Sequence, residues 1–275
     1  LSGGRERCYH LYIPPRYDPG RPAPVVFSFH GFLSNPESQA LISGWHDLAD
    51  RAGFLVVYPQ GTSFPQRWNS SGSWGADAVD DVQFFREMLA SLPALVNVDT
   101  SRVYVNGFSN GGGMAVRIGC SASEAVASIG SVAGAVVNVE SCQPSRPVPV
   151  MAFHGTADPV VGYHGDMPLP GLHYGADLTR APSRFLPAEE WTAAWAAGNG
   201  CDPSPAVLPQ EGDVSGVHYA GCLEDADVVF YSVHEGGHTW PGGWPIPIVV
   251  GRTSNDIDAT QELWGFYRDY QLPAP

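Results

Sequence analysis

A strand, a glycine-flanked turn and a helix follow one another at Val103-Tyr104-Val105-Asn106-Gly107-Phe108-Ser109-Asn110-Gly111 and the residues after it. The turn has the pattern G-x-S-x-G, in which the small residues let a serine sit on a sharp strand-to-helix bend with its Oγ clear of the backbone. The helix pattern that follows, from about Gly112 to Gly119, places free N–H groups beside that oxygen, where they favour a negative charge. The stretch therefore predicts a nucleophilic Ser109 at the edge of a sheet.

Apolar runs alternate with helical patterns on both sides of this stretch, which is typical of a mostly parallel, twisted sheet with helices on both faces. The predicted strands are 25–30, 54–58, 103–107, 129–132, 150–154 and 228–233, and the predicted helices are 45–52, 77–92, 112–119, 187–198 and 259–270. Ser43 and Asp258 are candidate N-caps, and Pro187 is a candidate first helical residue. No repeat or shift in composition divides the chain, so we expect one domain over 1–275, with an irregular insertion at about 163–186 that borders the cleft.

The composition excludes several classes of function. All 14 basic residues among the 275 are arginine, so a P-loop site, a Schiff-base enzyme and a Ser-Lys dyad have no lysine to use. With 28 acidic residues the net charge is −14, which disfavours nucleic acid and anionic lipid as partners. No apolar run reaches the length of a membrane span, and a neutral substrate suits this charge best.

An activated serine needs an acid and a base, which in this fold class follow it in the order acid, then histidine. Asp158 lies in a turn directly after a predicted strand, where a parallel sheet delivers residues to its ligand edge. His238 lies in a Gly- and Trp-rich loop after the last strand, from which its imidazole can reach both partners. We predict Ser109, Asp158 and His238 as the catalytic residues, with His234 as the other candidate base.

The same loop also matches a zinc-protease pattern, since His234-Glu235-Gly236-Gly237-His238 reads H-E-x-x-H. That pattern binds metal because positions i and i+4 share one face of a helix. The two adjacent glycines, the strand before them and Pro241 after them all oppose a helix. We therefore predict no metal site in this segment.

Two backbone N–H groups are needed to hold the oxyanion of an ester-hydrolysis intermediate. We predict those of Asn110, which directly follows the serine, and of Phe32, in the loop after the first core strand. His30 would be a structural residue beneath that loop. An aromatic rim would suit a flat or apolar acyl group, although the same side chains would also suit core packing; its candidates are Trp68, Tyr163, Trp240 and Trp244.

Five cysteines occur, and none forms a C-x-x-C pair. Cys120 with Cys142 and Cys201 with Cys222 would each close a loop of just over twenty residues, worth roughly 3 kcal/mol apiece. Five reduced cysteines in a cytosolic protein are the alternative, because sequence alone does not give connectivity. Cys8 is left over in either case.

Several short segments together resemble the polyhydroxybutyrate depolymerase family, which is allied to feruloyl and acetylxylan esterases within the α/β-hydrolase fold. The resemblance runs in order from about residue 7 to 270 and rests on Phe29-His30-Gly31, Tyr58-Pro59-Gln60-Gly61 with Trp68-Asn69, Asp80-Asp81-Val82, Gly107-Phe108-Ser109-Asn110-Gly111-Gly112, His154-Gly155-Thr156-Ala157-Asp158 and Gly237-His238-Thr239-Trp240-Pro241-Gly242.

This resemblance implies a secreted enzyme with a Ser-His-Asp triad and no cofactor, whose two cysteine pairs are the disulfides named above. It also implies that Trp240 lines the acyl pocket. The chain departs from the pattern at 70–78, which lacks cysteines expected in several relatives, and at 163–186, which is longer or more divergent. We expect a serine carboxylic ester hydrolase that acts on polyhydroxyalkanoate-type oligo- or polyesters, or on feruloyl or acetyl esters of plant polysaccharide.

Two other functions stay open at this stage. A catalytically silent binding protein with the hydrolase fold would have no chemical reason to keep the serine, the acid and the histidine together. A serine peptidase is the second alternative, since the same residues cleave amides. The sequence gives no oligomeric state.

Overall fold

Six parallel strands form the centre of the molecule, and antiparallel strands extend the sheet at both edges. The computed structural model describes residues 1–71, 79–137, 139, 142–166, 185–245 and 250–273. Its strands are β1 Tyr9–Tyr12, β2 Ala23–Phe29, β3 Leu55–Pro59, β4 Val98–Phe108, β5 Ser128–Val132, β6 Val150–Gly155, β7 Ala206–Glu211, β8 Val214–Tyr219 and β9 Val228–Val233. They form one nine-stranded sheet in the order β1-β3-β2-β4-β5-β6-β9-β8-β7, with β1, β7 and β8 antiparallel to their neighbours.

Helices cover both faces of this sheet. They are α1 Pro36–Ser43, α2 Trp45–Ala52, α3 Asp81–Ser91, α4 Asn110–Ser121, α5 Ala188–Gly198 and α6 Ala259–Tyr267, with short 3-10 turns at Leu92–Ala94, Ser123–Ala125 and Leu223–Asp225. Successive strand residues point to opposite faces, so Val25 and Phe27 join the core under α3, α4 and α5, whereas Val26 joins the core under α2 and α6. The predicted α/β-hydrolase sheet with helices on both faces is confirmed.

Several predicted boundaries shift. Helix α3 begins at Asp81 rather than 77, because the Asp80 side chain caps it by accepting from Gln83 N. Ser43 ends α1 instead of capping α2, whose N-cap is Gly44. Pro187 occupies the N-cap of α5. Asp258 caps α6 as predicted, accepting from the first-turn N–H groups.

Helix α1, strand β1 and the β7–β8 hairpin were not predicted, although α1 carried a signal. Asn35 caps that helix by accepting from Ser38 N at 2.8 Å, and Pro36 fills its first turn. The hairpin gives a weak pattern because β7 is an exposed edge strand that contains Pro209. The predicted insertion at 163–186 lies mostly outside the described residues, and the single domain stays a prediction.

Two disulfides join Cys120 to Cys142 and Cys201 to Cys222, as the family resemblance implied, and Cys8 is a free, exposed thiol. Both bridges tie helix ends to the loops beside them, at α4 and α5. Among the residues that the structure describes, no helix is long and apolar enough to cross a membrane.

Candidate active site

Ser109 occupies the bend between strand β4 and helix α4, as the sequence predicts. Its backbone has φ 56° and ψ −119°, a conformation that non-glycine residues adopt rarely and at a cost of order 1–3 kcal/mol. The bend is held because Ser109 N donates to Val132 O at 2.9 Å and Ser109 O accepts from Gly113 N at 3.0 Å. The Ser109 side chain makes no capping hydrogen bond to helix α4.

The two glycines of G-x-S-x-G are required by close backbone packing. A Cβ at Gly107 would lie 2.2 Å from Gly111 O, and a Cβ at Gly111 would lie 2.1 Å from Phe29 O. Neither contact can be relieved by a side-chain rotation, since both oxygens belong to the main chain. The glycines therefore bring helix α4 against the end of β2, and a Cβ added at Gly31 in the loop after β2 would lie 3.3 Å from Ser109 Cβ.

Asp158 lies in the turn after β6, at the carboxyl edge of the sheet where β4 also ends. Its Oδ1 accepts from Val160 N at 2.8 Å and Val161 N at 2.9 Å, and its Oδ2 lies 2.7 Å from His238 Nδ1. The carboxyl is buried, and burial alone would raise its pKa. The attraction of His238, together with hydrogen bonds from His154 and His238, outweighs burial and holds the pKa of Asp158 well below its ordinary value.

A second histidine contacts the same carboxylate, and the sequence reasoning missed it. His154 Nε2 lies 3.4 Å from Asp158 Oδ2 and 2.8 Å from Val161 O, and its ring is almost fully buried. The signal available in the sequence was the spacing: His154 ends the strand and Asp158 follows four residues later in a tight turn. His154 and His238 therefore both contact Asp158 Oδ2.

His238 lies in a loop whose backbone is held by hydrogen bonds to residues 250 and 252. His238 N donates to Val250 O at 2.6 Å, and Gly237 N donates to Arg252 O at 2.8 Å. The imidazole packs against Phe108, the residue directly before Ser109, with ring centroids 4.8 Å apart. Since Nδ1 bonds Asp158, Nε2 is the ring nitrogen that remains for another partner.

The H-E-x-x-H segment is not helical. Residues 234–235 form a turn after β9, and Glu235 has a positive φ of 54°. His234 Nε2 lies 2.8 Å from Ser215 Oγ, whereas His238 faces Asp158, so the two imidazoles serve different parts of the structure. Within the described part of the chain, no three His, Cys, Asp or Glu side chains are grouped to hold a metal ion.

The loop after β2 is built on a buried neutral histidine. His30 Nε2 accepts from Gly61 N at 2.9 Å, so Nδ1 carries the proton and donates to Gly31 O at 2.7 Å. Burial lowers the pKa of His30 to about 4, which keeps the ring uncharged at neutral pH. In a trans peptide the N–H points opposite to the C=O, so the bond to Gly31 O also sets the direction of Phe32 N–H.

Asn110 is the first residue of α4, a position whose backbone N–H has no partner within the helix. The Asn110 side chain does not face the cleft. Its Oδ1 accepts from Trp68 N at 2.7 Å, and its Nδ2 donates to Trp68 O at 3.2 Å and to Ser70 Oγ at 3.1 Å.

The four aromatic residues predicted to line a substrate site have different surroundings. Trp68 and Trp240 have no exposed surface, and Tyr163 is 6% exposed with its hydroxyl bonded to Glu189 and Ser232. Trp240 donates from Nε1 to Thr260 Oγ1 at 2.9 Å. This burial argues against direct substrate contact by Trp68 and Trp240, whereas Trp244, at 61% exposed, is free to make one.

The family described as Esterase PHB depolymerase matches residues 7–167, which is more than half of the chain. The chain belongs to this family. The match includes Ser109 and Asp158 and ends before His238.

Two relatives and one solved structure extend the comparison. Feruloyl esterase D of Neurospora crassa is 29% identical over 96% of this chain and 82% of its own length. Feruloyl esterase B of Piromyces equi is 29% identical over 82% of this chain, which spans 41% of that protein. The structure of an acetyl xylan esterase from Aspergillus awamori superposes with a TM-score of 0.64 at 16% identity, covering 94% of this chain and 93% of that one, and shows the shared fold.

Proposed function

We propose that this member of the esterase family hydrolyses neutral carboxylic esters through an acyl-enzyme formed on Ser109. The observation that carries the proposal is the buried hydrogen bond from His238 Nδ1 to Asp158 Oδ2, 2.7 Å long, in a loop packed beside the Ser109 turn. An ionised Asp158 fixes the His238 tautomer that leaves Nε2 unprotonated and able to take a proton.

In the first half of the reaction, Ser109 Oγ attacks the ester carbonyl carbon while His238 Nε2 takes the hydroxyl proton. The carbonyl oxygen becomes an oxyanion, which the N–H groups of Asn110 and Phe32 would hold. As the C–O bond to the alcohol breaks, His238 returns the proton to the leaving oxygen. Water then attacks the acyl-serine with His238 again as base, which releases the acid and restores Ser109.

A neutral ester of a plant polysaccharide, feruloyl or acetyl, is the substrate class we favour, with a polyhydroxyalkanoate as the other candidate. The chain carries a net charge of −14, and its uncharged loop 60–66 follows β3 at the same edge as Ser109. Several relatives aligned over most of this chain are named feruloyl esterases and another is named only a putative esterase, whereas the family description names a PHB depolymerase. Two disulfides support a secreted protein.

Hydrolysis of p-nitrophenyl acetate by wild type and Ser109→Ala tests the mechanism. Ser128→Ala is the matched control, because Ser128 Oγ is also buried but bonds Pro149 O at the opposite end of the sheet. We expect Ser109→Ala to lose nearly all activity and the control to keep it. Mass spectrometry after an organophosphate should find the adduct on Ser109; equal rates for all three proteins would refute the proposal.

A substrate panel then separates the remaining candidates. Methyl ferulate, acetylated xylan and a hydroxybutyrate trimer distinguish the ester classes, and a p-nitroanilide tests for peptidase activity. EDTA should leave the rate unchanged. A silent binding protein would hydrolyse none of these compounds.

A further inference from the structure

Trp68 lies between the two loops that would form the oxyanion site. It is fully buried, and three hydrogen bonds hold it. Its backbone N–H donates to Asn110 Oδ1 at 2.7 Å, its backbone carbonyl accepts from Asn110 Nδ2 at 3.2 Å, and its indole Nε1 donates to His30 O at 2.8 Å. The first two bonds reach helix α4, and the third reaches the loop after β2.

Each of these bonds ends next to a proposed oxyanion donor. Asn110 contributes its own N–H, so a side chain locked to the Trp68 backbone fixes the start of the helix from which that N–H projects. His30 O belongs to the peptide before Gly31, and the His30 ring already sets the direction of Phe32 N–H through Gly31 O. Trp68 is therefore joined on one side to the first donor and on the other side to the loop that carries the second.

We infer that Trp68 is a positioning residue, which sets the separation between Asn110 N–H and Phe32 N–H. The inference rests on the proposed function and assigns to a buried side chain the geometry of that same site. The Asn110 carboxamide suits this task because it donates and accepts in one plane, matching the N–H and C=O of a single backbone residue.

Trp68 can act as a fixed reference because the chain around it is anchored. Asn69 N donates to Asp81 Oδ2 at 2.7 Å, and Asn69 O accepts from Arg117 Nη1 at 2.5 Å. Asp81 is itself paired with Arg7 at 2.8 Å, with both side chains 1% exposed. Breaking such a buried pair is costly, so the segment beside Trp68 is held firmly in place.

Trp68→Phe tests the inference, since it removes the indole N–H and keeps an aromatic ring beside Phe29. Trp195→Phe is the matched control. Trp195, on helix α5, is also buried, and its Nε1 donates to the backbone oxygen of Val148 at 2.9 Å. Both variants should lose similar thermal stability. Only Trp68→Phe should lower kcat, by roughly 10-fold or more with KM nearly unchanged, because oxyanion donors act in the transition state.

A boronic acid supplies a readout that a purely structural role would not move. Phenylboronic acid forms a tetrahedral adduct on a nucleophilic serine, with one oxygen in the oxyanion site. Its inhibition constant should rise for Trp68→Phe in parallel with the fall in kcat and stay constant for Trp195→Phe. A Trp68→Phe enzyme with kcat and inhibition constant both within twofold of wild type would overturn the inference.

Two further variants keep the test decisive. If Trp68→Phe does not fold, replacement of Trp68 by benzothienylalanine keeps the ring size and removes only the N–H. Asn110→Ala removes the two hydrogen bonds between the Asn110 side chain and the Trp68 backbone. In the double variant with Trp68→Phe, kcat should fall by less than the product of the two single fold-decreases, since both substitutions break the same connection between the two loops. Ser109→Ala distinguishes a failure of the proposed mechanism from a failure of the inference about Trp68. An active Ser109→Ala enzyme would refute the mechanism. An inactive Ser109→Ala enzyme together with a Trp68→Phe enzyme of normal activity would refute only the role of Trp68.

Discussion

The stability of the protein should fall in acid because His30 is buried without a charge. Its Nε2 accepts from Gly61 N and its Nδ1 donates to Gly31 O, so the ring has no lone pair left for a second proton. Burial lowers the pKa of His30 to about 4, whereas an unfolded chain has the ordinary value of about 6.5.

The direction of this pH dependence is set by which state, folded or unfolded, binds the proton at the higher pH. Above about pH 6.5 neither state is protonated at this position, and His30 makes no contribution to the pH dependence. Between the two pKa values only the unfolded state takes up the proton, so the free energy of unfolding falls as pH falls. From these two values the loss from His30 is about 2 kcal/mol at pH 5 and about 3 kcal/mol at pH 4, changing little below that.

Urea unfolding followed by tryptophan fluorescence, repeated between pH 7.5 and pH 4, measures this loss. The comparison variant is His30→Gln, whose side-chain oxygen can still accept from Gly61 N but does not titrate. Contributions from the carboxyl groups are common to both proteins and cancel in the difference. The free energy of unfolding of wild type minus that of His30→Gln should fall by about 3 kcal/mol between pH 7.5 and pH 4. A difference that stays constant to within about 0.5 kcal/mol would show that His30 is not the buried neutral group described here.

Three other predictions follow from the same geometry. Asp158→Asn should keep the fold and lower kcat by about 10⁴-fold, since an amide favours the wrong His238 tautomer; steady-state kinetics with circular dichroism check this, and a loss below tenfold would contradict it. Gly111→Ala should abolish soluble, active protein, because the new Cβ would lie 2.1 Å from a backbone oxygen. Gly265→Ala in α6 is the control, since its Cβ meets nothing within 4 Å; thermal melts should show a free energy of unfolding raised by up to about 1 kcal/mol. Native protein should show one thiol to Ellman's reagent, that of Cys8, and each disulfide opened should cost about 3 kcal/mol of stability; two or more native thiols would refute the pairing.

The sequence predicted the sheet and the triad candidates because both depend on local patterns. A β-branched run followed by G-x-S-x-G specifies a strand, a bend and a helix within a few residues, and a turn after a strand places Asp158 at the same edge. The assignments of Ser109, Asp158 and His238 to catalysis stay predictions. What the structure adds is the hydrogen bond between Asp158 and His238, which joins residues 80 positions apart.

The sequence could not give the roles of His154 and Trp68, because both depend on contacts between distant segments. Trp68 was predicted at the substrate rim on the grounds that aromatic residues line acyl sites. In the structure Trp68 is buried and makes hydrogen bonds to His30, 38 residues before it, and to Asn110, 42 residues after it. No local sequence pattern encodes such bonds. The β7–β8 hairpin was missed for a related reason: an exposed edge strand has no buried face to impose alternation.

Two five-residue patterns in this chain show how backbone conformation gives a motif its meaning. G-x-S-x-G at 107–111 and H-E-x-x-H at 234–238 are both common by chance. In the first, the glycines are required, because any Cβ at 107 or 111 would strike main-chain oxygen. In the second, the glycines at 236 and 237 disfavour the helix that a zinc pair needs. A Cβ at Gly237 would also lie 2.2 Å from Val250 O, which accepts the hydrogen bond from His238 N. Glycine thus has opposite consequences for the two motifs: it is sterically required in the first, and it opposes the helix in the second.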